Sequence, residues 1–357
     1  SRRQRQMCIR DSTGVEYYAT IFAVDESPLQ EGLIWVGSDD GLIHLTKDGG
    51  ATWENVTPKK MPDWMMINSI DASSFDSGTA YIAGTRYKLG DFTPYLYVTD
   101  DYGKNWKLIT DGIKDEHFTR VLRSDKVNKN ILYAGTETGM YISYDRGNSW
   151  NEFQKNLPIV PITDLTIKDN SLIVATQGRS IWMIDDLTVF HQLTPSTDQI
   201  KLYKPKDSYR MGGAGGRKSL TAGTNLPNGA IIHYFIPNYS KENDQVSLSI
   251  HSSDGTLIKE FSDKSKENLL KVKNGGNSFV WNMKYPGAKR LDNMVLWGAD
   301  FTGAKAVPGN YIVKLKVNDT EMTQEFTIHK DPTSEGSIDD IKACLLYTSP
   351  SPRDVVP

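Results

Sequence analysis

Thr46-Lys47-Asp48-Gly49-Gly50-Ala51-Thr52-Trp53, Thr99-Asp100-Asp101-Tyr102-Gly103-Lys104-Asn105-Trp106 and Ser143-Tyr144-Asp145-Arg146-Gly147-Asn148-Ser149-Trp150 are three copies of one motif, Ser/Thr-x-Asp-x-Gly-x-polar-Trp. The motif aspartates lie 53 and then 44 residues apart. Self-similarity at that period, with strand-like sequence between copies, is how the blades of a β-propeller show themselves. An aspartate two residues before a glycine can bond the amides of its own turn, and the glycine supplies the positive φ that other residues resist. The tryptophan opening the next strand then buries a large ring between neighbouring sheets, with its indole N–H seeking a carbonyl. Asp48, Gly50, Trp53, Asp101, Gly103, Trp106, Asp145, Gly147 and Trp150 are therefore read as scaffold rather than as ligand contacts.

Working outward from each motif, three strand-like runs precede it. In the first copy these are 20–24, 33–37 and 41–45, alternating and rich in β-branched and aromatic residues, and the pattern recurs in the second and third. A fourth, eroded copy follows: Asp185 stands ten residues after Ala175, as Asp145 does after Gly135, and Phe190 takes the tryptophan slot. Met183 and Leu187 replace its Ser/Thr and glycine. Erosion of this kind is expected at a terminal repeat. Because four blades barely close a ring, the expectation is the last four blades of a larger propeller of seven or more.

Both chain ends read as translated sequencing adapter. Residues 2–12 and 344–354 back-translate to the two opposing strands of a transposase library adapter, so 1–12 and 344–357 are set aside as artefact. Both cysteines leave with them, which removes any disulfide framework, thiol nucleophile or cysteine metal site. Five arginines and two aspartates leave too, taking the formal charge from −3 to −6. That charge has no basic block of the kind nucleic acid or anionic lipid requires. No run approaches a membrane span.

After residue 194 the composition changes. Residues 195–226, with Met211-Gly212-Gly213-Ala214-Gly215-Gly216-Arg217-Lys218-Ser219, read as a Gly-rich connector. A phosphate-binding loop is rejected there, because Arg217 stands where its second glycine belongs. Residues 227–331 hold six or seven alternating strands with turn signals at Ser253-Asp254-Gly255 and Asn318-Asp319, which indicates a β-sandwich. Residues 332–343 read as the start of a further segment. The fold class is all-β: a partial propeller over 13–194 and a sandwich over 227–331.

The three motif copies, the pairs Gly37-Ser38, Gly84-Thr85 and Gly135-Thr136, and residues 178–187 resemble the sortilin-like, Asp-box (BNR) propellers of large bacterial exported proteins, which often carry a glycosyl hydrolase label. The resemblance covers about residues 17–193. It implies export and a propeller, and it carries no mechanism, since sialidases, xyloglucanase-like hydrolases, sortilin-type receptors and photosystem assembly factors share the motif. Pro308-Gly309-Asn310-Tyr311-Ile312-Val313-Lys314-Leu315 with Phe279-Val280-Trp281-Asn282 resembles the immunoglobulin-like module of flagellar-hook capping proteins, which implies a spacer.

Catalytic signatures are scarce. There is no His-Glu-x-x-His, no Gly-x-Ser-x-Gly and no histidine pair at metal spacing, so neither metal nor cofactor is expected. Topology instead gathers the loops between second and third strands, and those from each outer strand to the next inner strand, at one mouth of the channel. These loops carry Asp39, Asp40, Asp63, Asp91, Asp115, Glu116 and Glu137, from which a glycoside hydrolase would draw a carboxylate pair. They also carry Trp64, Arg86, Tyr87, Phe92, His117 and Arg179 as candidate ligand contacts. The second blade's loop is the longest: Gly84 to Asp101 is 17 residues, against 11 and 10 for the first and third copies. The leading expectation is a binding or scaffolding module for a protein or glycan, with no nucleic-acid partner. The alternative is glycoside hydrolysis at the mouth.

Overall fold

In the computed structural model, residues 19–193, 198–212, 226–287 and 302–348 are described. Three antiparallel four-stranded sheets come first. Blade 1 is β1 (Ile21–Glu26), β2 (Ile34–Ser38), β3 (Ile43–Thr46) and β4 (Glu54–Asn55). Blade 2 is β5 (Met66–Ala72), β6 (Ala80–Arg86), β7 (Asp91–Thr99) and β8 (Lys107–Leu108). Blade 3 is β9 (Thr119–Ser124), β10 (Leu132–Thr136), β11 (Gly139–Ser143) and β12 (Asn151–Glu152). Blade 4 has three strands, β13 (Ile162–Lys168), β14 (Ser171–Thr176) and β15 (Ile181–Ile184). Within each blade the strands pair in chain order, and β1, β5, β9 and β13 line one channel, so this unit is a partial β-propeller.

Blade 2 shows why the middle strands read as continuous apolar runs. Side chains alternate across a strand, and here both faces are covered. Ala80, Ile82, Tyr95 and Tyr97 pack against blade 1 with Trp35, Leu45 and Val56. Tyr81, Ala83, Leu96 and Val98 pack against blade 3 with Leu122, Leu132 and Tyr141. A one-residue slip would exchange the two cores.

The repeated turns close as their residues dictate. In the first, Asp48 accepts from the Thr52 amide at 2.9 Å and hydroxyl at 2.6 Å and from the Thr46 hydroxyl at 2.8 Å, while Thr46 Oγ1 accepts from the Gly50 amide. Asp101 and Asp145 repeat this with Asn105 and Ser149. The Thr52 hydroxyl and amide, then Thr46, lower the Asp48 pKa from 3.8 to about 2. A lowered acid stabilises the fold above its unfolded pKa and loses that contribution as pH falls through the folded one. Between pH 3.8 and about 2, therefore, the Asp48 turn is expected to open. The check is a carboxyl NMR titration, with Asp48→Asn showing no step in that window.

The turn also anchors blade to blade. Trp106 donates its indole N–H to the Val56 carbonyl of blade 1, and Trp150 to the Ile109 carbonyl of blade 2, both at 2.7 Å. A second link runs between inner strands. Asp25 accepts from the Ala72 amide at 2.6 Å, Asp71 from the Ser124 amide at 2.9 Å, and Arg123 donates to the Leu165 carbonyl at 2.9 Å. These three occupy one register position in successive blades, opposite Trp35, Tyr81 and Tyr133.

The fourth blade departs from expectation. Phe190 does not open an outer strand; it lies in a short helix, Thr188–Gln192. With Met183 and Leu187 in the hydroxyl and glycine slots, nothing there can close the hairpin turn, and the chain turns helical after Asp185.

The second compact unit begins at Thr188. A three-stranded sheet in the order β16 (Lys201–Leu202), β18 (Ala230–Ile236), β21 (Gly275–Trp281) faces a five-stranded one. The latter runs β17 (Ser208–Tyr209), β23 (Thr320–His329), β22 (Gly309–Val317), β19 (Val246–Ser252), β20 (Leu257–Ser262). One core joins them, with Ile232, Tyr234 and Trp281 from the first and Leu248, Val313, Leu315 and Phe326 from the second. Each strand buries one face and wets the other, as sandwich strands do. Short strands β16 and β17 come from the stretch read as connector; most of its glycine-rich part lies outside the described residues. A helix, Ile338–Thr348, follows.

Candidate functional site

The insertion in blade 2 extends a hairpin. Strand β6 runs on to Arg86, a 3₁₀ turn covers Tyr87–Leu89, and Gly90 turns the chain back with φ 75°. Arg86 and Asp91 are register partners and ion-pair at 2.7 Å. Arg86 also donates to the Asp63 carbonyl at 3.1 Å, which ties the hairpin to the loop entering β5. Burial works against the Asp91 carboxylate, yet Thr93, Tyr95 and Arg86 together hold its pKa below 3.8.

Between this hairpin and blade 1 lies a cleft of about 300 Å³, lined by Asp39, Trp64, Met66, Thr85, Arg86, Tyr87, Lys88 and Leu89. Four residues expected at the mouth thus meet there: Asp39, Trp64, Arg86 and Tyr87. Trp64 has a left-handed φ of 59° and is 57% exposed, which holds its ring at the rim. Tyr87 stacks on Phe118 with centroids 5.3 Å and planes 12° apart, and Phe92 packs against Phe118, tilted, at 5.9 Å. The Arg120 guanidinium lies over both Tyr87 and Phe118 and pairs with Glu137 at 2.6 Å. Asp40 and Asp63 face a neighbouring hollow with Pro62, and Asp40 accepts from the Ser38 hydroxyl. Asp115, Glu116, His117 and Arg179 do not line the cleft; His117 bonds the Tyr141 hydroxyl at 2.8 Å.

Phe118, Arg120 and Thr85 were not picked out as contacts from sequence. Phe118-Thr119-Arg120-Val121 offered only the alternation of an ordinary strand start. Thr85 looked like a repeat residue because it follows a glycine, but the register puts Gly84, opposite Ile67, at the position that Ser38, Thr136 and Thr176 hold opposite Ile21, Thr119 and Ile162. Ser38 donates to the Leu42 carbonyl at 3.1 Å, Thr136 to Gly139 at 2.9 Å and Thr176 to Ser180 at 2.6 Å, each closing its own loop. In blade 2 no hydroxyl stands at that position, and Thr85 is the first residue beyond it, where the extended hairpin begins. Thr85 is 1% exposed and its Oγ1 has no hydrogen-bond partner.

Two of the carboxylates named for hydrolysis are already engaged. Asp91 and Glu137 are held by arginines, and the Asp91 pKa is lowered, opposite to what a general acid needs. A carboxyl whose pKa burial pushes up is Asp25, on an inner strand and bonded to Ala72. Among the described residues no group of three or more His, Cys, Asp or Glu could hold a metal ion, and no helix is long and apolar enough to cross a membrane.

No family model and no curated protein matches the sequence. Solved structures similar to it include YCF48 bound to a D1 peptide, 20% identical over 48% of this chain and 53% of that one, with a TM-score of 0.37. An ancestral GH74 enzyme is 15% identical over 69% of this chain and 33% of its own, TM-score 0.37. The GH74 xyloglucanase of Xanthomonas campestris is 12% identical over 85% of this chain and 43% of its own, TM-score 0.36. The chain spans about half the length of the YCF48 structure and less of the two enzymes. At these TM-scores the ligand has to be argued from the cleft itself.

Proposed function

We propose that the propeller unit is a protein-binding module whose cleft beside the blade 2 hairpin takes an apolar or aromatic side chain of an extended peptide. The observation that carries this reading is the orphaned Thr85 hydroxyl beneath the aromatic and aliphatic rim of Trp64, Tyr87 and Leu89. A buried hydroxyl left unpaired costs stability, and one beneath a rim that exposes a tryptophan suits a site kept for a ligand whose backbone can reach it. The cleft sits at the small end of ligand sites, the size of an anchor rather than of a chain of sugars. A glycan would need polar partners around each ring, whereas Arg86 is already committed to Asp91 and Asp63. Exposed Lys88 beside the cleft favours an acidic residue next to the anchor. On this reading the repeat belongs with the sortilin-like Asp-box propellers of exported proteins, and the second unit is an immunoglobulin-like spacer.

The test is selection from a random peptide library alongside a glycan array, with Trp64→Ala as control. Peptides carrying an aromatic residue flanked by Asp or Glu are expected to be enriched, and Trp64→Ala to weaken them by about tenfold or more. Glycan binding without peptide binding, or release of reducing ends from a polysaccharide, would replace this account with the carbohydrate one.

A further inference from the structure

One face of the propeller unit is an interface with its other half absent. Where blades meet, three contacts recur. The tryptophan of each later blade donates to the carbonyl after the outer strand of the blade before it, Trp106 to Val56 and Trp150 to Ile109. The turn glycine comes so close to the same residue that a Cβ on Gly103 would lie 2.6 Å from Val56, and one on Gly147 2.6 Å from Ile109. At the inner strands, a Cβ on Gly37 would lie 2.4 Å from Ile67 of the next blade, and one on Gly135 2.6 Å from Ile162.

Blade 1 carries its half of all three contacts. Trp53 is 47% exposed, against 4% for Trp150, and has no acceptor for its indole N–H among the described residues. A Cβ on Gly50 would meet nothing nearer than the ring of Trp53 itself. Ile21 is 61% exposed, while Ile67 and Ile162 are fully buried, and Val24 beside it is 60% exposed. Each of these groups has a buried counterpart elsewhere in the chain that shows what covers it.

We infer that this face docks a further blade of the same repeat, joined ahead of blade 1 in the same polypeptide. That blade presents a β-branched residue with a free carbonyl after its outer strand, to meet Gly50 and Trp53. It also presents a small residue in its second strand, at the position of Gly37, Ala83 and Gly135, to receive Ile21. The trailing face of blade 4 cannot supply these groups. It has no outer strand among the described residues, so it offers neither the β-branched residue nor the carbonyl that follows one, and Thr166, opposite Ile173, takes the position of Asp25, Asp71 and Arg123. The four blades therefore neither close on themselves nor stack head to tail with a second copy, and the continuity of the blade 1–2 and 2–3 interfaces sets the occupant's chemistry.

Two extended proteins test this. In one, a copy of residues 57–118 is joined ahead of Ile21, which brings an Ile109 carbonyl to Trp53; in the other, a copy of residues 20–66 brings a Val56 carbonyl. Hydrogen exchange of the Trp53 indole, assigned with Trp53→Phe, is followed by NMR. Slowing by about tenfold or more toward the Trp150 rate is expected in either extended protein. Ile109→Asp in the added copy alone is expected to reverse it. The inference is overturned if Trp53 exchanges as fast as before in both, whether or not they fold. It is equally overturned if the unextended chain proves to be a dimer with Trp53 already protected, which makes a second copy the occupant.

Discussion

Trp150→Ala is expected to destabilise the propeller unit by about 3–5 kcal/mol, and Trp53→Ala by less than about 0.5 kcal/mol, although the two residues hold the same place in the same motif. Trp150 fills the space between blades 2 and 3 among Leu96, Ile109, Ile113 and Tyr141, with its indole N–H on the Ile109 carbonyl. Truncating it opens a cavity that the paired sheets cannot collapse around, and it strands a carbonyl. Trp53 has neither the neighbours nor the hydrogen bond, so its removal costs only partial burial. Trp106, half-buried and edge-on to Trp35 at 6.1 Å, falls between the two. Urea unfolding of the three variants ranks them, and equal losses at Trp53 and Trp150 would show that the motif acts within its own turn rather than between blades.

The contrast separates what could be read in this chain from what could not. The turns were legible because their chemistry is local: Thr46, Asp48, Gly50 and Thr52 satisfy one another within seven residues. The strands were legible as well, from alternation and from β-branched and aromatic residues, whereas burial of both faces of the middle strands became apparent only with the neighbouring blades in place. The inner-strand links were not, because each side chain finds backbone in the next blade and the residue changes from Asp25 and Asp71 to Arg123. Topology pointed to Trp64 and loop length to Arg86 and Tyr87, and the structure gathers them in one cleft. Thr85 escaped because the Gly-Ser/Thr pair aligned it with Ser38 and Thr136, whereas the strand register gives their place to Gly84 and leaves the Thr85 hydroxyl without a partner. Phe190 misled because apolar spacing survives where the turn that would use it has been lost.

Asp71→Ala is expected to cost about 2–4 kcal/mol and to reach the ligand cleft as well. The Asp71 carboxylate is 4% exposed; it accepts from the amide and hydroxyl of Ser124 in blade 3, with the Lys126 ammonium 3.6 Å away. Alanine leaves that amide and hydroxyl buried without partners. Asparagine keeps one acceptor oxygen and is expected to lose less than half as much. A double-mutant cycle with Ser124→Ala should return a coupling of about 1–3 kcal/mol, and a coupling near zero would place the loss inside blade 2 alone. The same link fixes blade 2 against blade 3, and Tyr87, which lines the cleft, is backed across that seam: Tyr87 belongs to the blade 2 hairpin, whereas Phe118 lies just before β9 and Arg120 within it. If the cleft depends on that stack, Asp71→Ala weakens peptide binding with no change to any residue that lines it. Asp25→Ala loosens blade 1 from blade 2 instead, the seam that holds Asp39 against the hairpin, and leaves the Tyr87–Phe118 stack intact. Comparing peptide affinity in the two variants tells whether the inner-strand links only hold the blades together or also hold the binding surface in shape.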